Sequence, residues 1–430
     1  MNETVVLILF TIAIVALIDF VPRLFVAKKK MPPVGPSYTR TPQYLIMPTV
    51  YGNISYLQNL DFLRRYADKV IICTSKYETK EFYKDLRRVC RDNGLRYACA
   101  ELPIVKGKPV KNAYTIYRGI LTSRQLRIPK DTPCLLIDAD TYALENVNNL
   151  ARAFKESTFD IASLRCEASR ANKVIEKLQA FEYKLAMDNR NMDPWLTSGA
   201  CNLGTVSALR RVFARHSKFF AGGDIEIGKL ARIMGYRVGH LDFTFYTAVP
   251  DTIKDWYNQR IIWFAGGVRH HVANIASFGW YHFFMLFYNS LLIYLLFPLR
   301  WVELVNFPLT LVAAILISWI YTYILVFGRG WQNAYLLLPF YAFFQTMIIL
   351  PVAIVRYSKL AWAQRSFGLL KHDLSHLSFF NKALYRSLNV GSAALIIYAA
   401  ILFTSARLDY WVQNGAASKF VLSLFSALLP

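Results

Sequence analysis

The chain has 430 residues, of which 55% are hydrophobic, and its mean hydropathy of +0.27 is high for a protein without membrane segments. Its 50 Lys and Arg residues exceed its 28 Asp and Glu residues, which gives a formal net charge of +22. Because long apolar runs flank the middle of the chain, this basic charge favours anionic lipid headgroups and a phosphate-bearing substrate, and we expect no nucleic-acid partner.

An apolar segment near the amino terminus, residues 5–20, is followed by Arg23 and by the lysine cluster 28–30. No basic region precedes this segment and no small-residue cleavage site follows it, so the pattern predicts a retained transmembrane helix and not a signal peptide. The basic cluster places the carboxyl end of that helix in the cytosol. Further apolar runs, each near the length that spans a bilayer except the shorter last one, lie at 278–299, 307–327, 334–355 and 390–403.

The run at 334–355 differs from the other apolar runs. If it crossed the bilayer, the stretch 356–386 would lie outside the cell, although this stretch contains several Lys and Arg residues and Asp373 as its lone acid. The positive-inside rule opposes that placement, and Pro339 and Pro351 interrupt the run. We therefore predict an interfacial or re-entrant element here.

Between about residues 33 and 275 the sequence is typical of an α/β domain. Apolar runs predict strands at Tyr44–Met47, Lys69–Cys73, Arg96–Ala100 and Cys134–Ile137. Helical periodicity predicts helices at Asn59–Asp68, Tyr77–Asn93 and Lys111–Ser123. Strands that alternate with helices indicate a parallel sheet of the nucleotide-binding type. No G-x-G-x-x-G motif or P-loop occurs, so a hydride-transfer enzyme or an NTPase has no support.

The strand predicted at Cys134–Ile137 is followed directly by two carboxylates, Asp138 and Asp140. Ligands bind at the carboxyl ends of the strands in open α/β sheets, and two acids there repel each other unless a cation lies between them. A hard divalent ion, Mg²⁺ or Mn²⁺, bound together with a diphosphate would fit these ligands. The alternative is structural, because Asp140 followed by Thr141 is also typical of a helix start.

Later motifs in the domain have structural interpretations when each is taken alone. Ser198-Gly-Ala200 is typical of a turn, and Gly222-Gly-Asp224 is typical of a helix entry. Gln259 and Trp263 are an i,i+4 pair on one helix face. The order and spacing of the motifs are more informative than any one of them.

Taken in chain order, the motifs resemble those of the membrane-integrated, processive family-2 glycosyltransferases: the hyaluronan, cellulose, chitin and bacterial capsule synthases. The resemblance covers about residues 40–370. Asp138-Ala-Asp140 is similar to the DxD motif, Gly223-Asp224 to the Glu-Asp base motif, and Gln259–Trp263 to QxxRW. The other similar positions are Thr49 in the first nucleotide-binding turn, Lys108 in the diphosphate-side basic motif, Ser198 and Gly199 in the acceptor-side loop, and Arg365 in the W-x-x-R segment.

The resemblance implies an α/β GT-A domain, which is nucleotide-binding and Rossmann-like, with N- and C-terminal transmembrane helices. The expected division is a transmembrane helix with a basic flank at 1–30, a cytosolic GT-A domain at 31–265, and transmembrane and interfacial helices that form a translocation channel at 266–430. A multi-pass plasma-membrane location with a cytosolic catalytic domain follows, because nucleotide sugars are available in the cytosol.

The resemblance also implies roles for individual residues. Asp224 is the expected general base, and Asp140 is the expected ligand of Mg²⁺ or Mn²⁺. Donor-binding residues are expected at Thr49, Lys108, Asp138, Asp140, Arg260 and Arg365. Acceptor-binding residues are expected at Ser198, Gly199, Gln259 and Trp263. The expected donor is a nucleotide-diphosphate sugar, with UDP as the nucleotide.

Three positions depart from the family pattern. The Asp-Asp-Gly-Ser stretch, in which an Asp binds the base, is replaced by Cys73-Thr-Ser-Lys-Tyr-Glu78. The Glu of the Glu-Asp pair is Gly223, and the Arg of QxxRW is Ile262, although Arg260 and Arg269 are close enough in sequence to supply a cation. These changes motivate the hypothesis of a catalytically inactive partner subunit.

The function implied by the resemblance is inverting transfer of sugar from the nucleotide donor to a growing β-linked polysaccharide, with extrusion of the product across the membrane. The alternative is a non-processive membrane glycosyltransferase that uses a lipid-linked acceptor. A transporter with a large cytosolic insert is disfavoured, because none of the C-terminal apolar runs contains an internal Asp, Glu, Lys or Arg.

Overall fold

The computed structural model describes residues 32–273 except 37–39, 106, 124–127, 193–196 and 217–221, then residues 330–364, and single positions or short pieces between 316 and 387. Contacts divide the chain into two compact units, one of which is Arg23–Trp256 and the other of which contains the described residues from Tyr257 onward.

The membrane segments expected from the sequence fall mainly on other parts of the chain. The apolar runs at 5–20, 278–299 and 390–403 lie outside the described residues, as does most of the run at 307–327. Among the helices that the structure describes, none is both long enough and apolar enough to cross a bilayer.

The first unit is built on a seven-stranded mixed sheet. Its strands are β1 (Leu45–Thr49), β2 (Ile71–Ser75), β3 (Arg96–Ala100), β6 (Pro133–Asp138), β7 (Ile161–Ala168), β8 (Cys201–Thr205) and β9 (Val238–Thr247), and β4 (Ile104–Val105) with β5 (Lys108–Pro109) forms a separate two-stranded hairpin. The spatial order is β3-β2-β1-β6-β8-β7-β9. The four strands predicted from the sequence correspond to β3, β2, β1 and β6, and these are mutually parallel, as predicted.

The prediction of a parallel sheet is wrong for β8, which runs antiparallel to both of its neighbours, β6 and β7. This reversal positions the site. It pairs Cys201 at the start of β8 with Ile137 near the end of β6, and the backbone amide of Asp138 donates to the carbonyl oxygen of Ala200 at 3.1 Å. The loop that precedes β8 therefore meets the carboxyl end of β6.

Helices connect the strands and cover the sheet. In the first unit they are α1 (Leu60–Arg64), α2 (Lys80–Asp92), α3 (Ala113–Thr122), α4 (Val147–Glu156), α5 (Val174–Met192), α6 (Val206–Arg215) and α7 (Gly223–Ile233). The predicted helix at Asn59–Asp68 is wrong in length, because a short α1 is followed by a separate 3₁₀ turn at Ala67–Lys69.

The core of the first unit lies between the sheet and these helices. Every residue of β1 and β2 is buried, which fits strands that are covered on both faces. The buried side chains of α2 are Phe82, Leu86 and Cys90, spaced four residues apart on one face. The sequence periodicity that predicts the helix thus also identifies its core face.

Helix α8 (Ile253–Ala273) crosses the boundary between the units in sequence. The second unit continues with a 3₁₀ turn at Asn333–Leu337, α9 (Leu338–Phe344), a π-helical turn at Gln345–Ile349 and α10 (Leu350–Gln364). The run at 334–355 is therefore an interrupted series of helical pieces, with Pro339 in the first turn of α9. Its location relative to a membrane stays a prediction.

Candidate active site

The acidic pair predicted from the sequence lies at the carboxyl end of β6. Asp138 is the last residue of that strand, and it is paired in register with Thr49 at the end of the neighbouring strand β1. The Asp140 carboxylate accepts hydrogen bonds from the hydroxyl groups of Thr247, at 3.2 Å, and Thr141, at 3.4 Å. Thr247 ends β9, so two strands that are not neighbours in the sheet fix the position of Asp140.

A buried asparagine holds the turn between the two acids. The Asn59 side-chain amide donates to the carbonyl oxygens of Thr141, at 2.6 Å, and Asp138, at 3.3 Å. Asn59 is 3% exposed, so these bonds are made away from water. Sequence reasoning missed Asn59 and Thr247, because single polar residues in a turn and at a strand end belong to no recognisable pattern.

The predicted general base lies beside the acceptor-side loop. Helix α7 begins at Gly223, and Gly222 before it has a φ of +68°, a left-handed conformation that favours glycine. Asp224 is the second residue of the helix, and its carbonyl oxygen accepts a hydrogen bond from the Thr197 hydroxyl. A β-carbon placed on Gly199 would lie 3.6 Å from Asp224 Oδ2. The acceptor-side loop and the predicted base Asp224 are therefore held against each other.

The three carboxylates interact electrostatically. Burial raises the pKa of Asp138 to about 8, and the charges of Asp140 and Asp224 contribute to this rise. Burial also raises the pKa of Asp140 and that of Asp224. An Asp224 carboxylate with a raised pKa is a better proton acceptor, which suits a general base.

The residues at the strand ends fit a divalent cation that is bound together with a diphosphate. In the part of the chain that the structure describes, no cluster of three or more His, Cys, Asp and Glu residues is arranged to enclose a metal ion. Mg²⁺ sites of this kind need one or two carboxylates, because substrate phosphates and water supply the remaining oxygen ligands. Asp138 and Asp140 provide such oxygens, and their mutual repulsion would be relieved by a cation.

The predicted donor-side cation Lys108 and its neighbour Lys111 lie in different surroundings, and the donor role of Lys108 stays a prediction. Lys108 lies on the exposed hairpin strand β5, where its side chain makes no hydrogen bond or ion pair with another described residue. Lys111 instead contacts Glu78, with Nζ 3.2 Å from Oε1, and donates to the carbonyl oxygen of Tyr77 at 2.6 Å. Glu78 also accepts from the backbone amide of Gly52 at 3.0 Å, so it connects the loop after β1 to the segment before α3.

Glu78 lies in the stretch that replaces the family's base-binding Asp. Its side chain is 2% exposed and also accepts a 2.5 Å hydrogen bond from the Ser75 hydroxyl. Ser75, Gly52 and Lys111 thus use both of its oxygens. The structure gives this carboxylate a role in holding loops together. The sequence feature that draws attention to Glu78 is the departure from the family motif, because an acid is present a few positions away from where the family has its base-binding Asp.

The site residues predicted on α8, Gln259, Arg260 and Trp263, belong to the second unit. Arg260 is fully buried, donates to Gln259 Oε1 at 2.7 Å and to the Tyr341 hydroxyl at 3.3 Å, and lies 4.2 Å from the Trp263 ring centroid. Arg260 would have to leave these contacts to bind a diphosphate, so its donor role stays a prediction. Arg365 and the Arg269 side chain lie outside the described residues.

Glu226, the second acid on α7, is the other carboxylate near this position, and it occupies a different environment from Asp224. It is fully buried, and its Oε2 lies 3.7 Å from His216 Nε2. Because the two acids are two residues apart on a helix, their side chains point in different directions. The burial of Glu226 favours Asp224 as the base.

The chain is similar to known proteins at the level of a family profile and of solved structures. None of the curated proteins compared with it matches its sequence. A solved structure of the mannosyltransferase PcManGT from Pyrobaculum calidifontis, in complex with GDP-Man and Mn²⁺, aligns with 93% of this chain and 97% of that chain, at 14% sequence identity and a TM-score of 0.45, which is too low to establish a shared fold. The profile of Glycosyl transferase family group 2 matches residues 134–358, just over half of the chain, and includes the acidic pair, Asp224 and α8. The chain belongs to Glycosyl transferase family group 2, and it is a glycosyltransferase with a GT-A-type α/β domain that uses a nucleotide-sugar donor.

Proposed function

We propose that the protein is an inverting, processive polysaccharide synthase that extends a β-linked chain and passes it across the membrane. The observation that carries the transfer chemistry is the convergence of Asp138, Asp140 and Asp224 with the loop at Gly199. Donor ligands and a proton acceptor thus meet at one edge of the sheet, as direct transfer between two sugars requires.

Asp138 and Asp140 would hold the donor diphosphate through Mg²⁺ or Mn²⁺, which when bound offsets negative charge on the leaving group. Thr247 and Asn59 keep these acids in place, the first through the Asp140 carboxylate and the second through the turn. Lys111 contacts Glu78, which in turn accepts from the Gly52 amide in the loop after β1, and we infer that Lys111 contributes positive charge to donor binding on this side.

Asp224 would remove the proton from the acceptor hydroxyl as that oxygen attacks the anomeric carbon. The glycosidic bond forms while the bond to the diphosphate breaks, and the diphosphate leaves with the electron pair. Attack opposite to the leaving group inverts the anomeric centre, so an α-linked donor yields a β-linked product. Removal of the base in such reactions lowers rates by roughly 10²- to 10⁴-fold.

Processivity and membrane transfer are supported by the order of the motifs and by the apolar runs on either side of the catalytic domain. Large apolar side chains at Trp331, Leu336, Leu337 and Phe340 are between 44% and 51% exposed, which supports contact of this segment with a bilayer. A plasma-membrane location with the catalytic domain in the cytosol agrees with a nucleotide-sugar donor. The second candidate, transfer of a single sugar to a lipid-linked acceptor, shares the same catalytic residues.

The test is to purify the full chain in detergent and to incubate it with a panel of UDP- and GDP-sugars and Mg²⁺ or Mn²⁺. We expect nucleoside diphosphate release from one donor class, loss of release in EDTA, and a long product on a gel. A product that carries one added sugar and partitions into organic solvent would favour the lipid acceptor. No release with any donor would refute the proposal and favour an inactive partner subunit.

A further inference from the structure

Tyr114 lies in the first turn of α3, directly beside the catalytic site. Helix α3 follows the N-cap Asn112. The Tyr114 ring stacks on the His216 ring with centroids 5.3 Å apart and an interplanar angle of 18°. The charges of Asp224 and Asp138 contribute to the electrostatic environment of its phenol. None of the family motifs recognised in the sequence includes this tyrosine.

The Tyr114 ring explains why the family's Glu is replaced by Gly223. A β-carbon built on Gly223 would lie 2.4 Å from Tyr114 Cδ2 and 2.6 Å from Cε2, distances that real β-carbons do not adopt. Gly223 is helical, so its backbone does not require glycine. The requirement is space, because the aromatic ring fills the volume that a side chain at position 223 would need.

The hydroxyl of Tyr114 points toward the acceptor side of the site. A β-carbon placed on Gly199 would lie 3.3 Å from this hydroxyl oxygen and 3.6 Å from Asp224 Oδ2. The Tyr114 hydroxyl and the Asp224 carboxylate therefore both lie close to the position that a β-carbon on Gly199 would occupy. Within the described part of the chain, the hydroxyl has no hydrogen-bond partner, so it is available to a ligand.

We propose that Tyr114 positions the acceptor by donating a hydrogen bond from its hydroxyl to an oxygen of the acceptor sugar while Asp224 takes the proton of the attacking hydroxyl. This inference rests on the proposed function, in which Asp224 is the base. Burial raises the pKa of the Tyr114 phenol, so the group stays protonated and can donate. The glycine and the tyrosine together take the place of the family's Glu.

Tyr114→Phe is the test, because it removes the hydroxyl and keeps the ring that packs on His216 and Gly223. The measured quantity is the partition of donor sugar between water, as free sugar, and glycosylated product, with the best donor of the UDP- and GDP-sugar panel. We expect transfer to fall roughly 3- to 10-fold, the effect of losing one neutral hydrogen bond, while hydrolysis and melting temperature stay close to those of the unaltered protein.

Tyr117→Phe is the matched control on the same helix. The Tyr117 hydroxyl donates to the carbonyl oxygens of Met47 and Ile137, each at 3.0 Å, and the residue is buried. Its loss should lower the melting temperature and leave the partition ratio unchanged. If Tyr114→Phe leaves the partition ratio unchanged, either because neither rate falls or because transfer and hydrolysis fall equally, the role of Tyr114 alone is overturned. No turnover by the unaltered protein would overturn the proposed function and this inference with it.

A second pair of variants tests the packing on which the inference depends. Gly223→Ala forces the ring of Tyr114 to move, so it should lower both the melting temperature and the fraction of sugar transferred. In a Tyr114→Ala background the clash is absent, and Gly223→Ala should then cost little in melting temperature. Equal costs in the two backgrounds would show that Tyr114 does not occupy the space beside Gly223, and would overturn the inference.

Discussion

The side-chain amide of Asn59 donates a 2.6 Å hydrogen bond to the carbonyl oxygen of Thr141, one residue beyond the acidic pair. A second bond, of 3.3 Å, reaches the carbonyl oxygen of Asp138. The turn that carries Asp140 is therefore held by a side chain from outside β6. The geometry of the two carboxylates depends on this brace as well as on the strand.

Asn59→Ala should destabilise the protein by about 1–3 kcal/mol, because it leaves the buried carbonyl oxygen of Thr141 without the donor that Asn59 supplies, whereas the Asp138 carbonyl oxygen keeps the Thr141 backbone amide. The loosened turn should also raise the metal concentration needed for half-maximal activity. Thermal melting and a metal titration measure the two effects. Asn53→Ala is the control, because Asn53 is an exposed cap whose Oδ1 accepts from the Ser55 amide. Unchanged metal dependence in Asn59→Ala would contradict the claim that Asn59 holds the two carboxylates in position for the metal.

Asp140→Asn should abolish turnover and metal-dependent nucleotide binding, because a neutral amide replaces an anionic oxygen ligand. Isothermal titration with nucleoside diphosphate, with and without Mn²⁺, measures the binding. Asp131→Asn makes the same chemical change at an exposed residue that pairs with Lys155, and it should behave as the unaltered protein. Thr247→Val, which keeps the charge of Asp140, should weaken binding only in part. Full activity of Asp140→Asn would remove the metal assignment.

Asp224→Asn should leave donor affinity nearly intact and slow transfer by roughly 10²- to 10⁴-fold, the usual contribution of a general base. Glu226→Gln is the informative partner, because Glu226 is fully buried beside His216. It should lower the melting temperature more than the rate per folded molecule. If Glu226→Gln instead removed turnover with normal melting, the base would have to be reassigned to Glu226.

The parts of the site that the sequence predicts are those that follow from regular geometry. Parallel strands direct their carboxyl ends to one edge, so an apolar run ending in Asp138 was enough to locate the acids. The reversal of β8 was not predictable, because alternation of apolar residues does not give strand direction. Its consequence, the approach of Ala200 to Asp138, depends on pairing between segments far apart in sequence.

The sequence also does not predict residues whose role depends on one contact with a neighbour distant in the chain. Lys111 belongs to no motif recognised in the sequence, yet the structure tethers it to Glu78, three residues beyond Lys108 in the chain. Tyr114 had no signal, because a tyrosine in an amphipathic helix is a normal core residue. The sequence feature that points to Tyr114 is Gly223, because a glycine where the family has Glu indicates a neighbouring group that fills the space of the side chain.

The buried histidine on β9 should make stability depend on pH. His240 is 2% exposed, its Nδ1 lies 2.8 Å from the Ser163 hydroxyl, and burial lowers its pKa from 6.5 to about 4, with Arg190 and Arg165 adding to the shift. Between those two pKa values the unfolded chain binds more protons than the folded one. Neutral His240 therefore makes its full contribution to the free energy of unfolding above pH 6.5, and this contribution decreases as the pH falls toward 4.

The total loss is on the order of 3 kcal/mol, because each pKa unit corresponds to about 1.4 kcal/mol. Melting temperature measured between pH 7.5 and 4.5 should fall more steeply for the unaltered protein than for His240→Asn, which cannot take up the proton. Asn keeps a hydrogen-bonding group near Ser163, so the variant should still fold at pH 7. Parallel pH curves for the two proteins would show that His240 does not carry this dependence.

Trp263 distinguishes acceptor binding from packing in the second unit. It is 44% exposed, and the guanidinium of fully buried Arg260 lies 4.2 Å from its ring centroid. A half-exposed tryptophan contributes less to stability than the roughly 3–5 kcal/mol of a buried one, so Trp263→Ala should melt only slightly lower. If the ring holds the acceptor sugar, polymer length should shorten far more than donor hydrolysis slows, because water can replace a sugar that is no longer oriented.

The Trp263 measurements are melting temperature, donor hydrolysis and product length on one preparation. Trp263→Phe is the control, because it keeps an aromatic face for Arg260 and for a sugar ring, and it should recover most of the product length. A large fall in melting temperature with parallel loss of hydrolysis and elongation would leave only a packing role. Normal melting with normal polymer length would exclude both roles, and the acceptor would then have to be held elsewhere, with Ser198 and Gly199 in the loop beside Asp224 as the remaining predicted contacts.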